Sequence, residues 1–304
     1  VPRQATGGAA AEETGGSTVG TEEARHATVS TEETGRFEAT TYQPMSVRRQ
    51  RRHAGPALGG CLSLLVAVAA ASAVAVRADE LTELAATLAR FPATDEIRGS
   101  LELQLSRQST EEHWTDQSRA VVEVEDGPQG VRVGLSRGGA RLALHELRAQ
   151  VLDPSKRTPT YNALQVLSLN EVSGDLDSAA ALAQDVSLAH LVEIKPTTYL
   201  GRPARLLVLA LPPRLSEEAR KHVRTADTQL SVWIGADGVP LAAEKIDHTK
   251  GRFLVLFFEN LRKQAWTFGH KGNRLFASRH EVSDTASGLG QDFRSSTVAI
   301  LSLH

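Results

Sequence analysis

Gly134-Leu135-Ser136-Arg137-Gly138 has the Gly-x-Ser-x-Gly spacing of a nucleophile elbow, where a sharp strand-to-helix turn exposes a serine hydroxyl for acyl transfer. Ser136 is therefore the one candidate nucleophile, and it lies between an expected strand and an expected helix. Two features oppose the reading: the neighbouring segments read as antiparallel hairpins instead of a parallel hydrolase sheet, and Arg137-Gly138-Gly139 is a poor helix start. The competing account is a glycine-rich connection with no chemistry. Beyond residue 78 there are eight histidines and no cysteine, and no two histidines sit at i, i+2 or i, i+4, so the spacing builds no zinc site. Glu111-Glu112 and Glu217-Glu218 flank turns or helix starts, where acids favour the helix dipole. The sequence points to no cofactor and no metal.

The chain has 304 residues with 34 Lys plus Arg against 36 Asp plus Glu, a single cysteine, and 41% apolar side chains. That excludes a disulfide scaffold, and a formal charge of −2 leaves no basic excess for nucleic-acid binding. The charge is unevenly placed. Residues 1–44 carry three Arg and seven Glu, residues 45–78 five Arg and no acid, and residues 79–304 a near balance of 26 basic and 29 acidic groups.

Residues 1–44 hold almost no large apolar side chains and repeat Glu-Glu pairs every ten residues, at Glu12-Glu13, Glu22-Glu23 and Glu32-Glu33. A stacked solenoid needs apolar positions that this unit lacks, so the stretch is expected to be a disordered extension, with Met45 as an alternative translation start. From Met45 follow Arg48-Arg49 and Arg51-Arg52, an uncharged apolar run from Leu58 to Val76, and Val76-Arg77-Ala78. This is the order of an export signal cleaved after Ala78, delivering the chain to the periplasm or the medium; the alternative is an uncleaved membrane anchor, since about 19 uncharged residues just span a bilayer. Cys61 follows Leu58-Gly59-Gly60 as in a lipobox, but the apolar run lies after it instead of before.

Residues 79–304 are long enough for one sizeable core. Leu81, Leu84, Ala85 and Leu88 recur at helical spacing before Pro92, which predicts an N-terminal helix over 79–91. Ile97, Gly99, Leu101, Leu103 and Leu105 then alternate with Arg98, Glu102 and Gln104, and Val122 and Val124 alternate with charged neighbours, the period of a half-buried antiparallel sheet. Helical spacing follows at 140–151, 161–171 and 176–191, with interruptions at Asp153-Pro154 and Ser173-Gly174-Asp175. Strands are then expected at 191–199, 202–211, 228–234, 239–248, 252–268, 274–282 and 293–303, with a helix over 216–225 and turns that include Lys250-Gly251. The class is α+β: a curved antiparallel sheet of eight to eleven strands, an open half-barrel, closed by the N-terminal helix and a helical lid.

With that order in place, Leu230-Ser231-Val232-Trp233-Ile234 running into Asp237-Gly238-Val239-Pro240-Leu241 resembles the LolA-like superfamily of periplasmic outer-membrane lipoprotein carriers, as do Gly201-Arg202 and Leu206-Leu207-Val208-Leu209 before it and Lys250-Gly251 after it. The resemblance covers nearly all of 79–304. It implies a hydrophobic cavity that takes lipid or lipoprotein acyl chains without acting on them, and a membrane protein that loads or receives the cargo. Leu101, Leu103, Leu105, Val122, Val124, Trp233, Phe257 and Trp266 are the candidate cavity wall, and Leu103→Glu is expected to abolish lipid capture while sparing the fold. Two other readings stay open, a sensor or interaction domain acting on a membrane partner and an esterase using Ser136.

Overall fold

The computed structural model describes residues 79–109, 115–253, 256–288 and 291–304. The N-terminal extension, the export signal with its cleavage position at Ala78, and Glu111-Glu112 lie outside the described residues. Helix α1 occupies residues 79–88 and buries Leu84 and Leu88, the helical stripe seen in the sequence. Three strands follow, β1 (Ile97–Ser109), β2 (Thr115–Gly127) and β3 (Gly130–Gly134), and then four helices, α2 (Arg137–Leu152), α3 (Pro159–Gln165), α4 (Leu169–Leu176) and α5 (Ser178–Ser187). The remainder is β4 (His190–Tyr199), β5 (Arg202–Leu211), the short α6 (Glu217–His222), β6 (Val223–Gly235), β7 (Pro240–Phe253), β8 (Leu256–Lys271), β9 (Arg274–Gly288) and β10 (Gln291–Leu303).

All ten strands form one antiparallel open sheet in the order β3-β2-β1-β10-β9-β8-β7-β6-β5-β4. The α+β class and the open antiparallel sheet expected from the sequence are those observed. What joins the sheet is a pairing between its two chain ends: β1 lies against β10, with Gly99 opposite Leu303 and Leu105 opposite Thr297. Helices α2–α5 therefore leave one edge of the sheet, after β3, and return at the other, before β4, which lays them across a single face. Two buried clusters fill the space beneath them. One joins α4 (Val172, Leu176) to β1, β2 and β10; the other joins α1 and α5 (Leu182, Val186) to β5, β6 and β7.

Boundaries differ from the sequence expectation where a side chain overrides a local signal. Ser173-Gly174-Asp175 does not interrupt the helices; α4 runs through it, and the break falls at Asp177, whose carboxylate caps α5 by accepting from the Ala180 N–H. Lys250-Gly251 is not a turn but part of β7, with Gly251 opposite Phe258. Its glycine answers to space: a Cβ there would come within 2.5 Å of the His222 carbonyl oxygen and meet the Phe258 ring. β7 continues to Phe253, which lies opposite Leu256 at the start of β8.

The opposite, outer face of the sheet carries charge pairs. Glu102 accepts from Arg119 and Gln104, and Glu259 accepts from Lys250 and His248. These donors hold both carboxyls below the ordinary 4.5 of a glutamate, Arg119 first for Glu102 and Lys250 first for Glu259. A carboxylate with a depressed folded pKa stabilises the fold above its unfolded pKa, and that contribution is lost as pH falls through the folded value. The expected result is a melting temperature that falls as pH drops below about 4.5, with a shallower acid limb in Glu259→Gln. Superimposable acid limbs for the two proteins would contradict this account.

Candidate functional site

Helices α4 and α5 carry three carboxylates toward the sheet. Glu171 and Asp175 are four residues apart on α4 and so share one face; Asp185 sits in the last turn of α5. Strands β7, β8 and β9 present the matching bases. Ala243 opposite Trp266, and Trp266 opposite His280, set the helix-facing side of these strands. Lys245 and Arg262 fall on the same side by the two-residue strand period. Arg262 donates to Glu171 (3.0 Å), Lys245 donates to Asp185 (2.8 Å), and His280 Nδ1 meets Asp175 Oδ2 at 3.0 Å. Arg214 adds a second donor to Asp185 at 3.1 Å.

These ties differ in strength. Arg262 and Glu171 are each more than a third exposed, and such pairs contribute about 0–1 kcal/mol. His280 and Asp175 are 6% and 7% exposed, so their bond forms where water does not compete. The Trp266 ring stacks on the imidazole, with centroids 4.8 Å apart and planes 22° off parallel, fixing the ring's orientation. This arrangement turns Nδ1 toward the Asp175 carboxylate and Nε2 away from it. Among the described residues Nε2 is buried with no hydrogen-bond partner. Leaving such an atom unsatisfied costs about 1–3 kcal/mol.

His280 lines a cavity of about 120 Å³ between α4–α5 and the sheet. Leu182, Leu230, Ala243, Trp266 and Phe268 form its apolar wall, and Glu171, Asp175, Asp185, Gln264 and His280 its polar one. Ligand pockets for drug-sized molecules typically measure about 300–1,000 Å³. A long acyl chain therefore enters only if α4–α5 move off the sheet, and such movement is resisted by the polar pairs together with the buried Val172, Leu176, Leu182 and Val186.

The structure separates the residues proposed from sequence as the wall. Trp266 lines the cavity. Leu101, Leu103, Val122 and Val124 belong to the closed core beneath α4, packed with Val172, Leu176 and Leu301, and Leu105 is buried on the same face. None of these five lines the cavity. Trp233 is on the other side of the sheet: it alternates with the buried Val232 and Ile234, and its ring lies 6.0 Å from that of Tyr199. Phe257 is 64% exposed, beneath the Arg252 guanidinium, and borders a separate shallow cleft with Lys250 and Glu259. Alternation revealed two-faced strands correctly, but which parity faces the helices is set by long-range packing.

Ser136 has a structural task. It is the N-cap of α2, at φ −58 and ψ 155, and its hydroxyl oxygen accepts from the Gly139 N–H at 3.1 Å. β3 before it is an antiparallel edge strand, unlike the parallel strand of a nucleophile elbow. Among the described residues there is no group of three or more His, Cys, Asp or Glu placed to hold a metal ion. The residues that sequence reasoning missed are His280 and Asp175. They are 105 positions apart, and Asp175 was hidden by reading Ser173-Gly174-Asp175 as a break; carried through, the i, i+4 pair Glu171 and Asp175 was the available signal.

Among the described residues no helix is long and apolar enough to cross a membrane. Comparison with known proteins finds no matching family model, no similar curated protein and no similar solved structure.

Proposed function

We propose that this protein is an exported carrier that holds an acyl chain, free or attached to a lipoprotein, between α4–α5 and the curved sheet, and passes it to or from a membrane partner. The observation that supports the reading is the cavity itself: a mostly apolar space under two short helices that are tied to the sheet by polar pairs as well as by apolar packing. Burying each methylene contributes about 0.8 kcal/mol, so a chain of modest length offsets the loss of these ties. The sequence reading of an export signal before residue 79 supports the location.

The test is native mass spectrometry of the full-length protein purified from the exported fraction, with organic extraction of whatever travels with it. Phospholipid or acylated peptide is the expected adduct. Ala181→Trp, which fills the cavity lining from an exposed position on α5, is expected to remove the adduct while leaving the melting temperature within a few degrees. A wild-type protein that stays empty after incubation with phospholipid vesicles overturns the proposal.

One observation favours a second reading, an interaction domain acting on a membrane partner. Helix α2 leaves Leu142 and Leu144 at 52% and Val151 and Leu152 at 83% and 87% exposure. Apolar surface of this kind marks docking sites. A partner that co-purifies with the protein in the absence of bound lipid, and is lost in Leu144→Glu, supports that reading.

A further inference from the structure

We infer that the outward face of α2 docks on the surface of an anionic lipid bilayer, its arginines on the headgroup phosphates and its aliphatic side chains at the boundary of the acyl region. The inference does not depend on the carrier reading and stands whether the cavity is filled or empty.

Arg137, Arg141, Leu144, Arg148 and Val151 follow one another at i, i+4, i+7, i+11 and i+14, so they share one face of α2, with Leu152 beside them. All of these are exposed, whereas Ala143 and Glu146 on the opposite face are buried. Glu146 is the only acid of the helix, and it is engaged on the inner side. Its carboxylate accepts from the Thr160 N–H at 2.9 Å and from the Thr160 hydroxyl at 2.8 Å, which pins α2 to the start of α3 and keeps the outer face turned away. Asp153, just past the helix, already holds Ser155 and Lys156. The outer face therefore carries three cations and no anion. Among the described residues none of the three arginines forms an ion pair, and Arg141 only reaches back to the Arg137 carbonyl. Helix stability does not account for them: the first turn holds Arg137 and no acid, the reverse of what the helix dipole favours.

The composition of this stripe selects its partner. A second copy docked face to face would set arginines against arginines, an arrangement that like-charge repulsion penalises. A folded protein is gripped mainly through buried anchors in which aromatic side chains are prominent, and this face has no aromatic side chain. An anionic bilayer matches what is present. Arginines lay their long stems along an apolar boundary while their heads stay in water, and here they are interleaved with Leu and Val along a helix about 24 Å long.

The test places an environment-sensitive nitrobenzoxadiazole label on Leu152→Cys, with Cys61→Ser so that no other thiol reacts, in the full chain purified from the exported fraction. On vesicles of equimolar phosphatidylglycerol and phosphatidylcholine the emission is expected to shift to the blue as the label leaves water. Phosphatidylcholine alone, or high salt, is expected to remove most of that shift. Changing Arg137, Arg141 and Arg148 together to Gln is expected to weaken vesicle binding about 100-fold, from the usual contribution of three basic side chains at an anionic surface. All three positions are exposed, so an unchanged melting temperature is expected and separates loss of binding from loss of fold. The same label on Thr198→Cys, an exposed position of β4 at the other edge of the sheet, is expected to stay unshifted, which distinguishes docking through α2 from attachment by the basic residues of 45–78. No blue shift at position 152 on anionic vesicles, an equal shift on phosphatidylcholine alone, or a shift that survives the arginine changes overturns the inference and leaves this face to a protein partner. None of these outcomes bears on the carrier reading, which rests on the cavity.

Discussion

Replacing Arg274 with methionine is expected to destabilise the domain by about 3–5 kcal/mol, because it removes one partner of a buried ion pair and strands the other. Arg274 is 3% exposed at the start of β9 and acts as a hub. Its guanidinium pairs with Asp126 at the end of β2 and donates to the Leu176 carbonyl at the end of α4. It also donates to the Ala93 and Asp95 carbonyls in the segment that joins α1 to β1. That segment carries its own cost, since Ala93 sits at φ 53, a conformation that residues with a Cβ adopt reluctantly. Arg274 and the Asn273 carbonyl, which accepts from the Ala93 N–H, hold it there. Methionine keeps the apolar stem but leaves three carbonyls and a carboxylate without their donor. For a domain of this length each kcal/mol moves the melting temperature by about 2–4 °C, so a fall of about 6–20 °C is expected. A fall of less than about 2 °C in a thermal melt would mean that the hub is not what ties the N-terminal segment, the lid and the sheet together.

Leu103→Glu is the second large effect, and its expected outcome changes between sequence and structure. Read as a cavity wall, Leu103 tolerates a charge at the expense of binding alone. In the fold it is 3% exposed inside a cluster with Leu101, Val122, Val124, Val172 and Leu301, with no described cation in that cluster to pair a carboxylate. Placing an unpartnered charge there ranks among the few mechanisms that exceed about 4 kcal/mol, a large share of the roughly 5–15 kcal/mol that keeps a domain folded. The expected result is loss of cooperative unfolding and of soluble yield, seen by circular dichroism and urea titration. Ala181→Trp, by contrast, should stay folded and lose only its ligand. A Leu103→Glu protein that melts normally but no longer captures lipid would show that the cavity reaches across to β1 and β2, and would restore the wall as the sequence alone implied it.

Local chemistry determined much of this protein before any tertiary contact is considered. Period-two alternation in Ile97 to Leu105 and around Val122 and Val124 marks strands with one buried face, because successive side chains point to opposite sides. Helical spacing at Leu81, Leu84 and Leu88, the break at Asp153-Pro154 and the turns at Gly201, Gly238 and Gly272, all at positive φ, likewise follow from backbone sterics within a few residues. These are enough to specify an antiparallel α+β domain with helices inserted between strand blocks.

The tertiary structure alone decided the rest. Pairing of β1 with β10 joins residues some 200 positions apart, and no local signal reports it. The parity that turns Trp266 toward the helices and Trp233 away from them depends on which face α4 and α5 cover. The site depends on the same step, because His280 and Asp175 are each ordinary residues in sequence and become a buried pair only when β9 and α4 are brought together. Side-chain alternation is a property of the strand, whereas a burial side, a partner and a cavity are properties of the packing between elements.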